Sequence, residues 1–200
     1  MKIVRSVAVV SAAAAMALVP VAAQADTKSH HDASGDVSSV AYDPVTQTST
    51  DTPTTPEPAA TRGDLTKIKV SLSSGSLKFV LRFRDLAKTG SEQFHELGIA
   101  SPNGRRYVFV DAGPGRWQGR TVMTKANLKT RVKCSIGGHI SYGKNTITVK
   151  VPTSCLGHPK VVKVGVKSVI LDGTKAYYDQ GYAVAGPFSG LLAASPKIHR

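Results

Sequence analysis

The chain is poor in cysteine, in aromatic residues and in acid. Two cysteines in 200 residues exclude a disulfide-dense miniprotein, a four-cysteine zinc site and an iron–sulfur ferredoxin. Aromatic residues make up 6% of the chain, with one tryptophan. Asp and Glu number 13 against 26 Lys and Arg, a formal charge of +13. Beyond the first 25 residues no run of eighteen apolar residues occurs, so nothing there reads as a membrane-spanning helix. H-x-x-x-H, H-E-x-x-H, G-x-x-x-x-G-K-[ST] and G-x-G-x-x-G are all missing. Zinc hydrolysis and phosphate cradling therefore have no sequence support. Gly186-Pro187-Phe188-Ser189-Gly190 is not the G-x-S-x-G of a nucleophile elbow.

What is present begins with an export pattern. Lys2 and Arg5 precede the apolar run 7–23, and Ala23-Gln24-Ala25 puts small residues at a cleavage site. This is the layout of a secretory signal peptide, so the expected mature chain is 26–200, secreted, with neither a transmembrane nor a lipoprotein anchor. The remaining charge is uneven. Residues 26–64 hold seven acids and two bases, whereas residues 65–200 hold 22 bases and six acids. In an oxidising compartment Cys134 and Cys155 are expected to pair. Closing a loop of this size stabilises a fold by about 3 kcal/mol.

Composition divides the expected mature chain. Residues 26–63 read as an acidic leader with a possible strand at 37–42 and a Thr/Pro-rich linker at 44–63. Residues 64–185 read as the folded domain, and 186–200 as a C-terminal tail. Within the domain the hydrophobic period is two. Ile68, Val70 and Leu72 alternate with Lys and Ser; Leu77, Phe79, Leu81 and Phe83 alternate with Lys78, Val80 and Arg82. Further strands are expected at 94–100, 107–110, 116–124, 129–134, 139–141, 147–151, 162–171 and 176–182. Ser73–Ser76, Asn103-Gly104 and Asp172-Gly173 supply turns. The best helix candidate, 86–96, is interrupted by Gly90. Eight to ten short strands at this spacing predict an all-β fold, an antiparallel β-sandwich of jelly-roll type, with a closed barrel as the second choice.

Alternation also assigns sides. With the apolar set inward, Lys67, Lys69, Lys78, Arg82, Arg84, Lys129, Arg131, Lys133, Lys150, Lys163 and Lys167 face outward. Like charges opposite one another on a sheet are unfavourable, which points to a polyanionic partner such as an anionic polysaccharide or cell-wall polymer. The competing reading is a solvated face that keeps strand edges from aggregating. The candidate binding residues are Lys67, Lys69, Lys78, Arg82, Arg84, Lys129, Arg131 and Lys133, with Trp117 as the aromatic best placed to stack on a sugar. His30-His31 sits in the leader and reads as surface. Glu92 and Glu96 are the acids a hydrolase would use. Arg62-Gly63-Asp64 matches an integrin-binding tripeptide but reads as a turn into the first strand of the domain.

One stretch is more specific. Val151-Pro152-Thr153-Ser154-Cys155-Leu156-Gly157-His158-Pro159, followed by a Val-rich strand, resembles uncharacterised secreted proteins of high-GC actinobacteria. Gly63-Asp64-Leu65-Thr66, Arg116-Trp117-Gln118-Gly119 and Cys134 before Ile140-Ser141-Tyr142 extend the resemblance over roughly residues 35–180. It implies structural roles for these residues: a disulfide, a tight turn and core strands. The pattern is distantly similar to carbohydrate- or haem-binding sandwiches of the DOMON type, although no Met/His axial pair stands in a matching context here. The expectation is a monomeric, non-catalytic extracellular binding module for an anionic polymer, without metal or cofactor and without specific nucleic-acid binding. The alternatives are a neutral-carbohydrate-binding module using exposed aromatics and a small secreted hydrolase.

Overall fold

The computed structural model describes residues 25–49, 54–182 and 195–200. The expected signal peptide, apart from Ala25, and part of the expected C-terminal tail lie outside the described residues. Among these residues the first strands are β1 (Asp26–His31), β2 (Ser38–Asp43), β3 (Thr48–Ser49), β4 (Thr55–Pro56) and β5 (Leu65–Leu72). They are followed by β6 (Ser76–Phe83), β7 (Glu92–Ser101), β8 (Gly104–Ala112), β9 (Arg120–Lys125) and β10 (Gly137–Ser141). The last are β11 (Thr146–Pro152), β12 (Val161–Asp172), β13 (Lys175–Gly181) and β14 (Ile198–His199). Two single 3₁₀ turns, at Tyr142–Lys144 and Thr153–Leu156, are the only helical elements among the described residues. The chain is all-β, as the alternation predicts.

The strands form two antiparallel sheets that curve into a half-barrel. The smaller has the order β1-β5-β6-β11-β10. The larger runs β3-β2-β13-β12-β7-β8-β9, with β14 added to β12 and β4 to β2. The inward-facing residues of both pack together as one core that includes Ile68, Val70, Phe79, Leu81, Leu97, Val108, Val149 and Val164. Phe79 is wholly buried, and burying such a side chain is worth roughly 2–3 kcal/mol.

Local chemistry explains the connections. Asn103-Gly104 makes a tight hairpin in which Ser101 pairs with Gly104; Gly104 has φ +98°, which a residue without Cβ adopts freely. In β5 both Leu65 and Ile68 are buried although three positions separate them. A register shift between Leu65 and Lys67 inserts one extra residue, so both side chains reach the core. The Cys155 motif is structural. Thr153 donates its hydroxyl to Ser74 O at 2.6 Å, and the Asn103 amide donates to Leu156 O and Gly157 O. Cys155 bonds to Cys134 with the Cα atoms 6.1 Å apart.

Three regions differ from the expectation. Residues 129–134 do not form a strand; Arg131 makes a single bridge to Thr124. Asn127 accepts from the backbone of Lys129 and Thr130 and turns the chain back along β9, where the Lys125 amide donates to Thr130 O and the Val132 amide to Met123 O; the pairing stops there, and Cys134 is tied to Cys155. In the leader, β1, which the pattern does not predict, edges the smaller sheet, whereas β2 answers to the possible strand at 37–42 and enters the larger. The end of the expected tail returns as β14, with Ile198 fully buried.

Candidate functional site

Antiparallel register places every outward residue of the smaller sheet. One row across it reads His31, Lys67, Arg82, Thr146, Ser141. The next reads Ser29, Lys69, Val80, Thr148, His139, and the third reads Thr27, Ser71, Lys78, Lys150, Gly137. This face carries five formal cations, two histidines and no acid. With strands ~4.8 Å apart and alternate residues ~6.7 Å apart, it measures about 19 Å by 13 Å. Lys67 stands directly opposite Arg82, and Lys78 opposite Lys150. Among the described residues none of Lys67, Lys69, Lys78, Arg82 and Lys150 has an ion-pair partner, although nine such contacts occur elsewhere.

The other candidates are distributed differently. Arg84 lies beyond the end of β6, with its guanidinium 3.6 Å from the buried carboxylate of Asp64. Lys129, Arg131 and Lys133 lie on the connection between β9 and β10. Of these, Lys129 and Arg131 line a groove on the opposite sheet with Asp111, Arg120 and Phe109. Trp117 is half-buried and makes an edge-on contact with Tyr142 at 6.1 Å. Its carbonyl accepts from the Tyr142 hydroxyl at 2.9 Å. It is a packing residue as much as a surface one.

The outer face of the larger sheet has another character. Val40, Val169, Leu171, Ala176 and Tyr178 form a second apolar cluster there, with Tyr42 and Phe94 against it. This explains why β12 reads as an almost unbroken apolar run: it is covered on both faces. A groove of about 320 Å³ runs over this cluster, lined by Tyr42, Phe94, Phe109, Glu92, Glu96 and Lys167 among others. Its charges are matched. Lys167 Nζ lies 3.0 Å from Glu96, both nearly buried. Glu92 is held by Arg116, and Asp111 by Arg120 at 2.8 Å. Lys167 is thus on the outward face, as alternation requires, yet little exposed.

Glu92 and Glu96 share this face on one strand, four residues apart, which sets their Cα atoms about 13 Å apart. Their carboxylates are turned to different cations, Glu92 to Arg116 and Glu96 to Lys167. The interior holds a second polar row that alternation does not reveal. His95, Ser168 and Asp179 are cross-strand neighbours on the core face. His95 is fully buried with neither ring nitrogen bonded, and the Ser168 hydroxyl also lacks a partner. Burial pulls His95 down to about 3, so it is neutral at ordinary pH. Serine, not histidine, occupies the middle of the row, and no hydrogen bond joins it to either neighbour, so this is not a nucleophilic relay.

The groove aromatics escape sequence reasoning because Phe94 stands between Glu92 and Glu96 on a face that alternation reads as solvent-facing, and Phe109 stands between Val108 and Val110 with no alternation to assign its side. Their signal was the loss of clean alternation in β7, β8 and β12. No family model matches the chain, nor does any curated protein or solved structure.

Proposed function

We propose that this is a secreted, non-catalytic binding module that takes an anionic polymer on the outer face of its smaller sheet. One observation carries the reading: five unpaired cations from three neighbouring strands, two pairs of them directly opposite, share a face with no acid. Like charges so placed destabilise a sheet by a few tenths of a kcal/mol per pair, a cost that an anionic ligand removes. Hydroxyls of Ser29, Ser71, Thr146 and Thr148 stand between the cations as neutral donors for phosphate, sulfate or carboxylate oxygens. Support for export comes from the N-terminal pattern and from the disulfide. Among the described residues no helix is long and apolar enough to cross a membrane.

Binding to anionic and neutral polysaccharides across a salt series tests the reading. The expected result is affinity for anionic polymers only, falling steeply with salt as bound counterions are released. Reversing Lys69 and Lys78 to Glu is expected to abolish it without unfolding the chain. Salt-insensitive binding to a neutral glycan, lost in Phe94→Ala or Phe109→Ala, would overturn the reading. The site would then be the groove, whose ring faces suit the apolar faces of sugars.

A further inference from the structure

The connection between β1 and β2, the turn into β5 and the strand β13 bring four carboxylates to one end of the half-barrel. One oxygen from each of Asp36, Asp64 and Asp179 lies within 4.8 Å of the others. Asp32 belongs to the same group. Its Oδ2 is buried without a hydrogen-bond partner, and its charge and that of Asp36 both act on Asp179.

The burial of this group is what makes it more than an acidic patch. Asp64 has no exposure and Asp179 has 3%. Asp64 Oδ2 accepts from the Gly35 amide at 2.9 Å and the Ser34 hydroxyl at 3.4 Å, with Arg84 at 3.6 Å. Its other oxygen, Oδ1, is buried with no partner at all. Asp179 accepts from the amides of Leu65 and Gln180. Those bonds fix the carboxylate in place but do not neutralise it. Among the described residues Arg84 is the one cation paired with these acids, and the His30 ring lies 3.5 Å from Asp32. An unpaired buried carboxylate oxygen among converging carboxylates is a costly arrangement, and a small multivalent cation compensates it.

We propose that Asp36, Asp64 and Asp179, with Asp32 beside them, form a Ca²⁺ site. The donors are all hard oxygens, with no thiolate and no imidazole among the three ligands, which disfavours Zn²⁺. They come from two loops and a strand, and carboxylates so mixed in origin suit the flexible, high coordination of Ca²⁺ better than the strict octahedron of Mg²⁺. The ion has a structural consequence. Asp64 leads into β5 of the smaller sheet, Asp179 sits in β13 of the larger, and Asp32 and Asp36 flank the loop that crosses from one to the other. The metal therefore staples the two sheets together and fastens the N-terminal strands to them. It lies apart from the basic face, so either proposal stands or falls without the other.

The test is calorimetry and thermal unfolding of the full chain, stripped with chelator and then titrated with CaCl₂, MgCl₂ or NaCl at matched ionic strength. Extracellular calcium modules bind with Kd of about 10⁻⁴–10⁻³ M. At 10 mM and a Kd of 0.1 mM the folding equilibrium shifts about 100-fold, raising Tm by about 5–10 °C. Asp36 is exposed, so Asp36→Asn leaves the stripped protein folded and is expected to weaken Ca²⁺ at least about tenfold. Asp64→Asn is expected to abolish binding. A Tm that Ca²⁺ does not move, an equal response to Mg²⁺ or NaCl, or unchanged affinity in Asp36→Asn each overturns the proposal.

Discussion

The two sheets are built from the same alternation, yet their outer faces are opposites. On the smaller sheet the outward residues are Lys, Arg, His, Ser and Thr with a single Val80 and Gly137, and among the described residues the five Lys and Arg have no ion-pair partner. On the larger sheet the outward residues of β12 and β7 include Val169, Leu171 and Phe94, and the charges in the groove beside them, Lys167, Glu96 and Glu92, are paired. The difference is one of coverage. Among the described residues nothing packs over the outer faces of β1, β5, β6 and β11, so their outer side chains are chosen by water. Strands β12, β7 and β8 are overlaid by the β2–β3 hairpin region, whose Tyr42, Gln47 and Ser49 line the groove. Charges there survive only as pairs.

The comparison can be broken most severely from the inside. Phe79 is the largest wholly buried side chain and comes from the smaller sheet. Phe79→Ala is expected to cost about 3–5 kcal/mol in urea unfolding, because that sheet has only its inner face to hold it. Phe94→Ala, on the doubly covered sheet but only half-buried, is expected to cost clearly less. Equal losses would mean that the outer cluster matters as much as the core.

Next in size is the contrast between paired and unpaired cations. Glu96→Gln removes the carboxylate charge 3.0 Å from the little-exposed Lys167 and is expected to cost about 1–2 kcal/mol in urea unfolding. Lys78→Gln on the basic face is expected to move stability by less than about 0.5 kcal/mol, toward higher Tm if at all. A marked loss from Lys78→Gln would show that the basic face has partners in solution.

The pH profile sharpens the view of the interior. His95 is held at about 3 in the folded chain by burial, against about 6.5 when unfolded. The unfolded chain therefore binds the extra proton first, so stability is complete above pH 6.5 and is lost as pH falls toward 3. At about 1.4 kcal/mol per unit, the loss reaches about 2 kcal/mol by pH 5. His95→Phe is expected to remove that part of the acid slope, as read by unfolding at pH 7 and pH 5. An unchanged slope would place the acid sensitivity elsewhere.

Legibility followed the same division. The smaller sheet could be read from its period because each of its central strands has one wet and one dry face. The same alternation put Lys67, Lys69, Lys78 and Arg82 on one side before any register was known. β1 escaped because Asp26-Thr27-Lys28-Ser29-His30-His31 contains no apolar residue; it is a strand only because the edge of β5 offers its backbone a ladder. Residues 129–134 misled in the other direction. Their alternation is real, and the Asn127 turn brings them back to the edge of β9, but only one bridge forms there before the chain leaves for the disulfide at Cys134. The groove and the acid cluster were not legible at all. Phe94 and Phe109 carried no signal of their own, and Asp64 and Asp179 lie far along the chain from each other and from the Asp32–Asp36 loop, each unremarkable by itself.

The amino-acid sequence by itself determined the all-β class, the inward set of residues in the central strands, the cysteine pair and the basic character of the domain. These are consequences of period-two hydrophobicity and composition, which act locally and need no partner to be recognised. Tertiary structure alone decided which cations became cross-strand neighbours, which of the larger sheet's faces was covered, and which four carboxylates met at one end of the half-barrel. Those depend on register and strand order, and strand order is set by contacts between residues remote in sequence, where no local pattern carries the information.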